Sequence, residues 1–251
     1  MAQWRRMKTR VLHSIRAYFP GQARLVTVML KKRANSCQNI DDCIRLALGF
    51  LTSFPFKQFR WSIKPAQVRD EIASLLEILA KRRPKNILEI GTAWGGTLFL
   101  FAKVASPQAK IVSVDIPSDY TRGYPEWRVN LYQSFGMPEQ KICLIRKNSH
   151  LLSTLGRVET ALERCKLDFL FIDGDHTYDG VKKDFEMYCK LVRKGGLIAF
   201  HDIVPEAPGG WVGGWVGGAP RFWDEIKHNF SYIELAKNWK QGGCGIGILY
   251  V

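Results

Sequence analysis

From residue 66 onward the chain alternates short apolar runs with amphipathic stretches, and that alternation leaves few folds open. A helix near 68–79 carries Val68, Ile72, Leu75, Leu76 and Leu79 at three- and four-residue steps, and Lys81-Arg82-Arg83-Pro84 closes it. Strands are expected at 86–90, 110–114, 142–146, 168–172 and 196–200, with helices at 97–105, 128–135, 151–165 and 178–192 between them. A helix at 221–229 then precedes two β-like pieces, 232–235 and 245–251, joined by a glycine-rich turn. Apolar strands separated by helices are βαβ units, which build a parallel sheet covered on both faces. The expected class is α/β: a doubly wound, mostly parallel sheet with helices on both sides. The last two strands have no helix between them and should pair antiparallel at an edge. No apolar run reaches the roughly 18–20 residues of a membrane span.

Charge is distributed unevenly. Of a net +14, nine lysines and arginines fall within residues 1–40, with no acid before Asp41. Trp4, Met7, Val11, Ile15 and Tyr18 share one helical face opposite the arginines, and Pro20-Gly21 ends the pattern. Residues 1–61 therefore read as a basic helical arm and linker, and 62–251 as the α/β domain. A basic amphipathic helix suits an anionic membrane surface. Docking of the same helix on its own domain or on a second copy, as in a homo-oligomer, explains the pattern equally. Six cysteines without a CxxC pair read as free thiols in a reducing compartment. The expected location is cytoplasmic, at the membrane periphery if the arm docks there.

Chemistry concentrates at strand ends. Glu89-Ile90-Gly91-Thr92-Ala93-Trp94-Gly95-Gly96 leaves the first strand, and Asp115 ends the next. A glycine-rich turn opens backbone N–H groups to a ligand, and an acid at the end of the second strand binds ribose hydroxyls. Dinucleotide sites place a glycine where this chain has Ala93, and Glu89 would repel a pyrophosphate. An acid there suits a cofactor with cationic groups, such as S-adenosylmethionine with its ammonium and sulfonium.

These segments, with Asn148-Ser149-His150, Leu167-Asp168-Phe169-Leu170-Phe171-Ile172-Asp173-Gly174-Asp175-His176-Thr177-Tyr178 and Ala199-Phe200-His201-Asp202, resemble the class I S-adenosylmethionine-dependent methyltransferases of Rossmann-like fold. More narrowly, they are similar to the cephalosporin-hydroxylase-like and macrolide-sugar O-methyltransferases, over roughly 62–251. The resemblance implies Glu89 near the methionine end of the cofactor. It also implies Gly91, Thr92, Gly95 and Gly96 in the loop beneath it, Asp115 on the ribose, Asn148 and Ser149 beside the adenine, and Asp173 at the same pocket. Methylating an alcohol requires removal of its proton, and a carboxylate or imidazole does this. Asp175 and His176 are both candidates, with His176 favoured by its ordinary pKa of about 6.5. Capping of the following helix is the bland role for the same loop. In metal-dependent relatives a divalent ion, Mg²⁺ or Mn²⁺, would rest here on Asp173, His201 and Asp202. His201 departs from that pattern, because magnesium prefers oxygen.

The tandem Trp211-Val212-Gly213-Gly214-Trp215-Val216-Gly217-Gly218 reads as a lid over a sugar or aromatic acceptor, or as an oligomer contact. The expected function is O-methylation of a small molecule, sugar or glycan. Methylation of nucleic acid or protein, or a non-catalytic cofactor-binding module, are the alternatives. The chain has Asp-Gly-Asp-His where base amino-methyltransferases carry an Asn/Asp-Pro-Pro-aromatic motif, which argues against nucleic acid.

Overall fold

A computed structural model describes residues 21–53, 60–117, 123–206 and 216–251. The arm helix over Trp4–Tyr18 lies outside the described residues, as do both tryptophans of the tandem repeat, Trp211 and Trp215.

Two helices, α1 (Gly21–Asn35) and α2 (Ile40–Gly49), and a small antiparallel pair, β1 (Leu51–Ser53) and β2 (Arg60–Ser62), lead into α3 (Arg69–Arg82). Then come β3 (Asn86–Ile90), α4 (Gly96–Val104), β4 (Lys110–Asp115), α5 (Val129–Gln133), β5 (Lys141–Arg146), α6 (Leu152–Ala161) and β6 (Leu167–Ile172). The chain continues through α7 (Tyr178–Tyr188), β7 (Val192–His201), α8 (Ala219–Ile226), β8 (Ser231–Leu235) and β9 (Ile246–Tyr250). The main sheet has seven strands in the order β5-β4-β3-β6-β7-β9-β8. Its first five strands run parallel, while β9 lies antiparallel between β7 and the edge strand β8. The doubly wound, mostly parallel sheet and its antiparallel end are those expected. Among the described residues no helix is long and apolar enough to cross a membrane.

Period-two alternation sends each strand's side chains to both faces. Ile87, Ile111, Phe169 and Phe171 join one core, and Leu88, Val112, Leu170 and Ile172 join the other. The second core is closed by α6, α7 and α8 through Val158, Phe185 and Phe222. In the first, Phe101 of α4 meets Phe169 and Phe171 edge-on at 5.3 and 5.2 Å, a favoured aromatic geometry.

Helix α4 is buried on every side, since Leu98, Phe99, Leu100, Phe101 and Ala102 are all at most 1% exposed. A helix apolar all round needs a second layer above it, and α2 and α3 supply that layer. Val26, Leu30, Ile44, Ala47 and Phe50 belong to the same core as Ile72 and Phe99. Packing thus runs across the division drawn at residue 62, and α1 extends over residues read as linker.

Candidate functional site

The strand order reverses between β3 and β6, and their carboxyl ends form the crevice where open α/β sheets place ligands. Gly91 leaves β3 with φ +96°, and a Cβ there would lie 1.9 Å from the carbonyl oxygen of Asp173. Only glycine allows the two loops to touch backbone to backbone. At Gly95, φ is +81° and a Cβ would run into the Tyr132 ring at 2.7 Å.

Tyr132 and Arg128 brace this turn. The Tyr132 hydroxyl donates to the Ala93 carbonyl at 2.8 Å. Buried Arg128 donates through Nη1 to the Ser62 carbonyl at 3.0 Å and to Tyr132 Oη at 3.1 Å. Its guanidinium lies 4.9 Å from the ring centroids of both Trp94 and Trp127.

Acids support the turn from within. Asp115 Oδ2 accepts the Thr92 and Ala93 N–H groups at 2.9 and 2.8 Å, and Oδ1 accepts the Ile116 N–H at 2.7 Å. Burial raises the Asp115 carboxyl above its ordinary value against those three hydrogen bonds. Glu89 is 0% exposed, and its two oxygens accept the hydroxyls of Thr97 and Ser113, each at 2.5 Å. Thr92 Oγ1 pairs with Ser113 Oγ at 2.5 Å, joining the loop to the same network. Burial pushes Glu89 up to about 8, with the charges of Asp173 and Asp115 acting in the same direction. Glu89 therefore sits under the turn as a carboxylic acid near neutrality, and in that form one of its two oxygens donates to its hydroxyl partner instead of accepting from it. Asn148 and Ser149 follow β5, the strand beside β4. Asn148 Oδ1 accepts the His150 N–H at 2.8 Å, and the Ser149 carbonyl accepts the Tyr188 hydroxyl at 2.7 Å.

The second cluster gathers Asp173, His176, His201 and Asp202. Asp173 Oδ2 accepts Gln67 Nε2 at 2.7 Å, and Oδ1 lies 3.1 Å from His201 Nδ1 and 3.6 Å from His176 Nε2. Asp202 Oδ2 lies 2.9 Å from His176 Nδ1. Its Oδ1 accepts the Cys244 N–H at 3.1 Å and stands 3.4 Å from His201 Nδ1. Burial would lower both imidazoles, but Asp173 and Asp202 outweigh it: His176 is raised above its ordinary value and His201 well above. Burial would raise Asp202, yet the charge of His201 and the hydrogen bond from His176 hold it below the usual carboxylate range.

Asp175 is turned elsewhere. Its Oδ1 accepts the Thr177 N–H at 3.0 Å, and its carboxylate lies against Gly180 in the first turn of α7. Thr177 caps α7 by accepting the Gly180 N–H at 3.0 Å. Of the two base candidates, only His176 faces the cluster.

One donor atom each from Asp173, His176 and Asp202 fall within 4.8 Å of one another, as do those of His201, Asp202 and Cys244. Mg²⁺ or Mn²⁺ asks for oxygen ligands. Every carboxylate oxygen of Asp173 and Asp202 already faces a protein nitrogen, so the arrangement does not fit such an ion.

Three contributors carry no local sequence signal. Gln67, 5% exposed, fixes Asp173 from 106 residues away, and its Oε1 is buried without a partner. Buried Glu71 accepts Gln241 Nε2 at 2.7 Å and the Gly245 N–H at 2.8 Å, anchoring the loop that brings Cys244 to Asp202. Arg128 is the third. Beyond the cluster lies a cleft of about 490 Å³, lined in part by Ile203, Glu206, Gly217, Trp223 and Trp239. Gly218, next in the chain to the cleft-lining Gly217, donates its N–H to the His176 carbonyl at 2.7 Å, which ties the cleft's rim to the loop that carries His176.

Residues 88–203 match a family model described as a methyltransferase domain. The chain is 25% identical over 187 residues to "Probable caffeoyl-CoA O-methyltransferase 3" of Dictyostelium discoideum, covering 73% of this chain and 68% of that protein. Its fold is that of the O-methyltransferase TomG from Streptomyces achromogenes, solved in complex with SAM (TM-score 0.55, 17% identity, 86% of this chain and 90% of that one). The O-methyltransferase from Bacillus cereus, solved with SAH, is similar too (TM-score 0.54, 18% identity, 92% and 100% covered).

Proposed function

We propose that the chain is a class I S-adenosylmethionine-dependent methyltransferase, a reading supported by its likeness to methyltransferase sequences and folds, and that it methylates a hydroxyl oxygen of a small molecule, sugar or glycan, with His176 taking the proton. The observation that carries this reading is His176, with Nδ1 held 2.9 Å from Asp202 on a loop whose backbone is bonded to Gly218 beside the cleft. A carboxylate on one ring nitrogen orients the imidazole and stabilises the imidazolium formed when the other nitrogen accepts a proton.

S-adenosylmethionine supplies an electrophilic methyl group on a sulfonium. The turn suits it because Glu89, Asp115 and Asp173 surround it with acids, and the unpartnered Gln67 Oε1 is an acceptor for an ammonium. In this reading Asp115 orients the ribose, the 91–96 turn holds the methionine end, and Asn148 and Ser149 border the adenine. Trp223 and Trp239 give the cleft apolar walls for a ring-shaped acceptor.

The test incubates the purified protein with methyl-labelled S-adenosylmethionine and separate pools of glycans, phenols, RNA and DNA, and reads products by mass spectrometry. Label on oxygen in the first two pools supports the reading. Label confined to nucleic acid, or none in any pool with cofactor bound, refutes it.

A further inference from the structure

Asp173, partly buried, and Asp202, buried, end neighbouring strands, and two carboxylates side by side away from bulk water repel one another unless something positive or hydrogen-donating stands between them. Here that position is filled from within the chain. His201, 5% exposed, places Nδ1 3.1 Å from Asp173 Oδ1 and 3.4 Å from Asp202 Oδ1. The outer oxygens are engaged as well, Asp173 Oδ2 by Gln67 Nε2 at 2.7 Å and Asp202 Oδ2 by His176 Nδ1 at 2.9 Å. Asp202 itself holds a left-handed backbone, φ +60°, and the Cys244 N–H, 3.1 Å from its Oδ1, fixes the carboxylate in that turn. A hard divalent ion keeps several waters and takes the rest of its shell from oxygen. To bind here it would have to displace His201 and break several of these hydrogen bonds.

We infer that the His201 imidazole occupies the place of a divalent cation between Asp173 and Asp202, so that transfer by this chain is independent of Mg²⁺ and Mn²⁺. The inference rests on the methyltransferase reading and specifies how its site is assembled. His201 holds the two carboxylates at a fixed separation, and Asp202, so fixed, orients His176. Lewis-acid polarisation of the acceptor hydroxyl is then not required. Its proton leaves to His176, the oxygen–methyl bond forms and the sulfur–methyl bond breaks, leaving the neutral thioether.

The experiment uses the full chain. Metal content is measured by plasma mass spectrometry after dialysis, and Mn²⁺ binding by loss of the free-ion paramagnetic resonance signal. S-adenosylhomocysteine affinity is measured calorimetrically, with and without chelator. The unaltered protein is expected to hold no stoichiometric metal, to leave millimolar Mn²⁺ free, and to bind S-adenosylhomocysteine equally in chelator. His201→Asp places an oxygen donor between the carboxylates and should tighten Mn²⁺ binding roughly tenfold or more. Stoichiometric Mn, Zn or Fe in the dialysed protein, micromolar Mn²⁺ affinity, or turnover abolished by chelator and restored by metal would each overturn the inference. The measurements on the unaltered protein decide this even if His201→Asp fails to fold. Failure to bind S-adenosylhomocysteine would instead remove the methyltransferase reading, and the metal measurements register independently of it.

Discussion

Glu89 should make cofactor binding and fold stability depend on pH in opposite senses. The folded, ligand-free protein holds this carboxyl at about 8, against an ordinary value of 4.5, because it is wholly buried. Between those values the folded state binds a proton that the unfolded chain has released, so stability falls as pH rises and levels off above about 8. Each pH unit in that window is worth about 1.4 kcal/mol. From pH 5 to pH 8 the loss is about 4 kcal/mol, or roughly 10 °C in Tm for a domain of this size. Glu89→Gln keeps the shape and lets the Thr97 and Ser113 hydroxyls reorient, but it cannot titrate. Thermal melts at successive pH values should show the difference between the two proteins widening in favour of the variant as pH rises. A cationic cofactor favours the carboxylate, so S-adenosylmethionine should bind more tightly from pH 6 to 8 and release a proton. Calorimetry in buffers of different ionisation enthalpy reads that proton directly. Parallel Tm curves for the two proteins, with no proton release in the unaltered one, would show that Glu89 is not the buried acid described.

Five other outcomes are expected. His176→Ala should lower kcat by roughly 10²–10⁴ with cofactor affinity retained. The unaltered rate should rise with pH through a midpoint above the ordinary histidine value, since Asp173 and Asp202 raise His176, and Asp202→Asn should lower that midpoint. Asp175→Ala should by contrast reduce stability by about 1 kcal/mol with kcat largely kept, because Asp175 serves the α7 terminus. Asp115→Ala should weaken S-adenosylhomocysteine binding by roughly tenfold or more, from loss of a charge-assisted hydrogen bond worth about 1.5–3 kcal/mol, and calorimetry on the folded variant checks it. Leu30→Ala, 2% exposed in α1, should destabilise the whole domain by about 2–5 kcal/mol in denaturant unfolding. A value near zero would mean that α1 is not part of the core.

The sheet was legible because each buried strand is an apolar run bounded by punctuation, and periodicity alone separates it from the helices. Docking of α1 and α2 was harder to read, since α1 buries Val26 and Leu30 but leaves Leu25 and Val28 exposed, so its apolar residues mark no single face. The signal lay in α4, whose run Leu98–Ala102 has no polar face and must be covered on both sides. The glycine turn and the 173–176 loop were legible because their residues are close in sequence. Gln67 and Glu71 reach partners 106 and 174 residues away and belong to no motif. Asp175 and His176 are adjacent, so spacing could not choose between them. Geometry does, because the first turn of α7 claims the carboxylate.

The insertion of β9 between β7 and β8 sets an order of assembly. β9 is the last of these strands to be synthesised, yet it occupies an inner position. Until it arrives, β7 presents an unpaired edge, and β8 has nothing to pair with. The residues just before β9 supply the Cys244 N–H that holds Asp202 and the Gly245 N–H that Glu71 grips. A nascent chain can therefore form the cofactor turn early, while the acid–imidazole cluster stays incomplete until these late residues dock. Cofactor affinity in growing or truncated chains should accordingly be gained before methyl transfer.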